Sequence, residues 1–247
     1  MGYVIFRGVG TEGSLSVVGS GHVLTDVYVS KMPSHKKAAM RQTEYHVIGR
    51  DGDLHVNEGF ENFDITLVLV LINATASKRQ LVNAWADGTG KLILSDDLTK
   101  CYKATVQQEV EWNRVAGNGK FYDTATIVFN CQPFMYEASE TSIEVTQDYT
   151  GWINPGSAEA YPLIKVEGTD TYAVCFYFCD EYLIIRGINP NDPVFIDCET
   201  GYIYTASGQP MTMEGNIPKI PLGTNAIYFN WEHPPTKLTV TPRWRWV

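Results

Sequence analysis

The stretch "FDITLVLVLI", residues 63–72, decides how the rest of the chain is to be read. Phe63, Ile65, Leu67, Leu69 and Leu71 alternate with Val68 and Val70, so both faces of an extended segment carry apolar side chains. That pattern belongs to a strand covered on both sides. Just upstream, "VIGRDGDLHV", residues 47–56, sets Arg50, Asp51, Gly52 and Asp53 between two apolar runs. An Asp-Gly pair supplies the positive-φ positions of a two-residue hairpin turn. The acidic cluster is therefore expected to be a tight turn ahead of the buried strand, with Arg50 paired to Asp53 or to an acid of another subunit.

Outward from residue 72 the β pattern continues. "ATIVFNCQPF" puts Ala125, Ile127, Phe129 and Cys131 on one face, with Thr126 and Val128 on the other. One helix interrupts it. Ser77 is in place to cap it, Leu81, Ala84 and Trp85 recur at helical spacing, and Asp87-Gly88 stops it. A second short helix is expected around Lys36–Met40. After residues 134–141 the strands become shorter, with turn signals at Gly168 and Asp180 and a hairpin in "PVFIDCETGYIYT". Such spacing suggests a β-sandwich. The closing "KLTVTPRWRW" reads as one strand, with Leu238, Val240, Trp244 and Trp246 on one face. The expected fold class is mainly β with one or two short helices, divided into domains 1–136 and 137–247.

The totals agree. A chain of 247 residues holds one large domain or two of ordinary size. With 12% aromatic and 19% charged residues it suits packed β structure rather than disorder. A net charge of −9 argues against binding a nucleic-acid backbone, which takes lysines and arginines. There is no apolar run of about 18 residues of the kind that crosses a membrane as a helix. "MGYVIFRGVGTEG" is expected to be an unprocessed strand beginning. The five cysteines, Cys101, Cys131, Cys175, Cys179 and Cys198, sit in apolar segments as small buried hydrophobes, which fits synthesis in a reducing cytoplasm.

Motifs for chemistry fail in turn. As a calcium loop, "DGDLHVNEGFEN" has Val56 at its sixth position, where glycine makes the sharp turn, and Asn62 at its twelfth, where a bidentate Glu is required. "DGTGKL" follows Lys91 with Leu92 and lacks the first glycine of a phosphate loop. Cys175 and Cys179 have no second ligand pair to complete a zinc site. Glycosidase carboxylates must face each other at a set distance. Asp96 and Asp97, as neighbours on a strand, point apart, and Asp192, Asp197 and Glu199 flank hairpin turns. No catalytic residue, metal or cofactor is expected, and the chain is not expected to be an enzyme. The aromatics Tyr172, Phe176, Tyr177, Tyr182, Tyr202, Tyr204, Trp231, Trp244 and Trp246 crowd the second half and are expected mostly in its core. Any that are exposed would stack on sugar rings, which makes a module binding host cell-surface glycans the alternative reading.

The order of several segments resembles the distal tail proteins (Dit) of long, non-contractile-tailed bacteriophages. The matching pieces are "VIFRGVG", "LTDVYVSKMPSHKKAAMR" with Pro33 and Arg41, "VIGRDGDL", the helix ending in Trp85, "GKLILSDDLTKCYKATV" and "FNCQPFMYEA". In the second half they are "INPGSAEAYPLIKVEGT", "GNIPKIPLGTNAIYF" and "PRWRW". The resemblance implies an N-terminal β-rich domain that forms a homohexameric ring and a C-terminal galectin-like β-sandwich. It implies a virion structural protein at the phage tail tip, made in the bacterial host cytoplasm and not secreted. Implied partners are the major tail tube protein and a tail-associated or tail-fibre protein, and in some members host surface carbohydrate. DNA would pass through the lumen without specific binding, and no membrane is involved. Arg41, Arg50, Asp51 and Asp53 are the candidate inter-subunit contacts.

Overall fold

The computed structural model describes residues 3–8, 16–19, 26–31, 33–106, 109–117, 120–146, 149–168, 172–230 and 232–247. The chain divides into two compact units, Met1–Ala138 with Val247, and Ser139–Trp246. The first runs β1 (Tyr3–Gly8), β2 (Ser16–Gly19), β3 (Val27–Lys31), β4 (Met40–Tyr45), β5 (Leu54–Phe60), β6 (Phe63–Ile72), α1 (Ala76–Trp85), β7 (Gly88–Leu94), β8 (Lys100–Val106), β9 (Glu111–Gly117) and β10 (Lys120–Glu137).

The opening stretch is β6, and it pairs on both sides, with β10 and with β3. Ile65, Leu67, Leu69 and Leu71 are fully buried, whereas Val68 and Val70 are only half-buried, so one face lies in the core and the other is partly open. The sheet order is β2-β1-β7-β8-β10-β6-β3, with β9 on β10. Ala125, Ile127, Phe129 and Cys131 all face its core, as their alternation requires. Helix α1 packs there through Val82 and Trp85. Trp85, Phe6 and Phe129 meet edge to face, with ring centres 5.2–6.2 Å apart. Leu81 and Ala84, expected on this face, are exposed.

The helix is capped by Thr75, not Ser77. Thr75 has extended backbone angles and its hydroxyl accepts from the Lys78 amide at 3.3 Å, while Ser77 already lies inside the first turn. Thr75→Ala should therefore cost about 1 kcal/mol in urea unfolding, and Ser77→Ala a few tenths. At the other side of α1, Asp123 is buried between Arg79 (2.9 Å) and Arg114 (3.0 Å), tying the helix to the β9–β10 pair. The second helix expected at Lys36–Met40 is absent. Residues 33–39 are irregular, and β4 begins at Met40. Long-range side-chain ties hold this segment: His35 to Asp96 and Tyr102, and Lys36 to the Asp64 carbonyl.

The second unit contains β11 (Ile143–Val145), β12 (Tyr149–Asn154), β13 (Leu163–Glu167), β14 (Ala173–Phe178), β15 (Glu181–Arg186), β16 (Val194–Asp197), β17 (Tyr202–Thr205), β18 (Met213–Glu214), β19 (Gly223–Phe229) and β20 (Lys237–Thr241). They form two five-stranded antiparallel sheets, β11-β20-β13-β16-β17 and β12-β19-β14-β15-β18. Ile164, Val166, Leu238 and Val240 from one and Phe176, Phe178, Leu183, Ile185 and Ile227 from the other share one core, so the unit is a β-sandwich. Turns fall where Asp180 and Glu199–Gly201 placed them, Gly201 taking a positive φ of 76°; the turn expected at Gly168 runs into residues outside the described ones. The closing strand is shorter than its alternation suggested: β20 stops at Thr241, because Arg243 turns the chain with a φ of 54°. Trp244 is nonetheless buried in the core and Trp246 packs against it; Trp231 lies outside the described residues.

Candidate functional site: an amphipathic hairpin

Strands β4 and β5 form a two-stranded sheet of their own. Its base is tied to the first unit. Ala38 is buried, the Glu61 amide donates to the Ala39 carbonyl at 2.8 Å, and the Phe60 ring meets Phe134 edge-on at 5.4 Å. Below the base, His35 Nε2 lies 2.5 Å from an Asp96 oxygen and His35 Nδ1 lies 3.1 Å from the Tyr102 hydroxyl. Burial pushes the Tyr102 hydroxyl up to about 12. Burial opposes charge on Asp96 more than any single partner favours it, but the hydrogen bond and charge of His35 together with the Asp96 and Asp97 backbone amides hold that carboxyl below the usual range.

Beyond the base almost every side chain of the hairpin is exposed. Cross-strand partners share a face of an antiparallel pair. Tyr45–Leu54 and Thr43–Val56 therefore make one face, and Glu44–His55 and Gln42–Asn57 the other. The polar face satisfies itself: Gln42 bonds Asn57 at 2.9 Å and His55 lies 3.6 Å from Glu44. The first face exposes the apolar Tyr45, Leu54 and Val56 beside Thr43, which bonds Glu58, and the tip adds the exposed Val47 and Ile48, Ile48 at 96%. An isolated two-stranded hairpin is marginal in water, and exposed apolar clusters mark contact surfaces.

The tip is not the two-residue turn that Asp51-Gly52 suggested. Tyr45 pairs with Leu54, and the connection runs over residues 46–53, with positive φ at both Gly49 (84°) and Gly52 (76°). The Arg50 amide closes a first turn on the Val47 carbonyl at 3.2 Å. Asp53 is engaged by His46, at 3.0 Å, rather than by Arg50. Arg50 and Asp51 stand exposed at the tip, and Arg41 is exposed beside a bulge where Gly59 takes a φ of 105°. The structure thus puts all four candidate contacts on this hairpin. The signal that sequence reading passed over is the apolar set Tyr45, Val47, Ile48, Leu54 and Val56 flanking them.

The other sequence candidates are committed to structure. Asp96 and Asp97 lie in the turn after β7, not on a strand. Asp192 accepts from the Ser207 amide and hydroxyl. Asp197 holds Arg243 at 2.7 Å, with Glu199 at 3.4 Å from the same nitrogen. Burial alone would raise the Asp197 carboxyl, but the Arg243 hydrogen bond and charge hold it below its ordinary value. A depressed folded-state value stabilises above the unfolded value and is lost as pH falls through the folded one. Unfolding midpoints should therefore drop below about pH 4, with a smaller drop for Asp197→Asn. The Cys131, Cys179 and Cys198 thiols are pushed up to about 12 by burial, the behaviour of core residues rather than nucleophiles. Cys179 is not on a strand with Cys175 but in the β14–β15 turn, at a φ of 54°.

Both units, in this order along the chain, have counterparts in a solved structure. SPP1 Dit (gp 19.1), described with its crystal structure as a paradigm of hub adsorption apparatus in phages infecting Gram-positive bacteria, superposes with a TM-score of 0.72. The two chains are covered over 100% of their lengths at 15% identity. The chain shares the Dit fold. A chain of the phage P2 baseplate in its activated conformation with Ca is similar over 97% of this chain and 96% of its own, at 10% identity and a TM-score of 0.52. No family model and no curated protein sequence matches. The resemblance read from ordered segments is thus borne out at the level of the Dit fold, across a distance at which few identities survive.

Proposed function

We propose that this chain is a phage distal tail protein, a non-enzymatic virion component whose copies form a hexameric ring joining the tail tube to the tail-tip adsorption apparatus. The observation that carries the reading is the hairpin of β4 and β5, an amphipathic element with its apolar face in water, on a chain that follows the Dit fold over its full length. In a ring each subunit uses two different patches, so the hairpin of one copy seats on a different surface of the next. Residues 1–136 are the ring-forming domain in this reading and residues 137–247 a galectin-like domain. Arg41, Arg50, Asp51 and Asp53 border the contact. The tube protein and a tail-associated or tail-fibre protein bind the two sides of the ring. DNA crosses the lumen without specific binding, consistent with the net charge of −9.

Light scattering across a concentration series tests this. A species of six times the 27.7 kDa chain is expected. Arg50→Ala should weaken its assembly. A monomer that gains no mass up to its solubility limit, with or without the tube protein, would overturn the ring.

A further inference from the structure

The outer face of the sheet β12-β19-β14-β15 carries four tyrosines in one row. Tyr149 is directly opposite Tyr228, Tyr228 opposite Tyr177, and Tyr177 opposite Tyr182, across four neighbouring strands. Their inward neighbours Phe176, Phe178, Leu183 and Ile227 are fully buried, so alternation sends the tyrosines outward. Tyr149, Tyr228 and Tyr177 are 54%, 47% and 44% exposed, large values for aromatic residues that a core would otherwise claim. The ring centres of Tyr149 and Tyr228 are 5.2 Å apart and those of Tyr177 and Tyr182 4.7 Å.

Two details hold the rings in place. A Cβ at Gly151 would lie 2.9 Å from the Tyr149 hydroxyl and 3.4 Å from its ring carbon Cζ. The Tyr149 ring therefore lies down along its strand, over a position that only glycine leaves clear, with one face toward solvent. At the other end of the row the Tyr182 hydroxyl accepts from Asn230 Nδ2 at 2.7 Å.

We infer that this row is a binding platform for an uncharged, extended glycan. Three features of the face favour that occupant. It is uncharged in a chain of net charge −9: the outward positions of β12, β19 and β14 are Tyr149, Gly151, Ile153, Thr224, Ala226, Tyr228, Ala173, Cys175 and Tyr177, and Arg186 on β15 is neutralised by Glu214 at 2.8 Å. It repeats at the strand pitch of about 5 Å, which matches one pyranose per tyrosine, the C–H face of each sugar on a ring and its hydroxyls within reach of the phenols and Asn230. Its exposed tyrosine area is on the order of 300 Å², sufficient for a short oligosaccharide to lie across the rings.

The inference goes beyond the hub and stands or falls apart from it. Calorimetric titration of the full chain with cellotetraose, chitotetraose and maltotetraose, and gel retardation in neutral polysaccharides, test it. Saturable binding of at least one is expected. Tyr228→Ala should weaken it by about tenfold or more, whereas Tyr228→Phe should keep most of it. Gly151→Ala, which lifts the Tyr149 ring, should weaken it with the unfolding midpoint little changed. Tyr202→Ala, exposed on the other sheet, should leave it unaltered. Failure to bind any of these probes, binding of only a polyanionic polymer, or binding that survives Tyr177→Ala/Tyr228→Ala in a folded chain would overturn the platform while leaving the mass of the assembly untouched.

Discussion

Phe129→Ala should destabilise the first unit by about 4 kcal/mol, within the roughly 3–5 kcal/mol that emptying a buried phenylalanine site costs. Phe129 is fully buried on β10, the strand that pairs with β6, β8 and β9, so its backbone is fixed and the site cannot collapse. Its ring also joins helix to sheet, edge-on to Phe6 at 5.2 Å and to Trp85 at 6.0 Å. Against a total stability of about 5–15 kcal/mol for a domain, such a loss moves the urea midpoint far. Phe129→Leu, which keeps most of the volume, should recover more than half of it. A loss under about 1 kcal/mol for the alanine variant would mean that the three-ring cluster is not the centre of the core.

Sequence and structure agree where a residue's fate is set by its own strand. The buried register of β6 and that of β10 follow from strict alternation, and the turns at Asp180 and Gly201 follow from residues that tolerate turn geometry. They part where a distant element decides. Trp85 is compatible with an apolar partner three or four residues earlier, and the shape of the sheet selects Val82 over Leu81. Segment 33–39 carries residues that suit a helix, but His35 and Lys36 are drawn to Asp96 and to the Asp64 carbonyl, far along the chain. The positive φ of Arg243 belongs to its bond with Asp197, which no local pattern announces. At the hairpin the acidic cluster drew attention first, yet the apolar residues beside it carry the stronger physical argument. A charged tip is ordinary, whereas Tyr45, Leu54 and Val56 on one open face are not.

Ile48→Asp should abolish assembly and leave the subunit folded. At 96% exposure Ile48 has almost no contacts within the chain to lose, so the unfolding midpoint should stay within about 0.5 kcal/mol of the parent. Seated on a neighbour, the same side chain contributes about 2 kcal/mol of burial, and a carboxylate in its place adds a desolvation penalty. A closed ring repeats each contact once per subunit, so the loss recurs at every interface. Light scattering should then show only monomer at concentrations where the parent chain assembles. Val56→Asp, on the face of Tyr45 and Leu54, should act in the same direction, whereas Gln42→Ala, on the polar face, should leave the mass unchanged. If Ile48→Asp and Val56→Asp both assemble like the parent, the apolar face of the hairpin is not the seat of the contact. Assembly would then have to run through a different surface of the same fold.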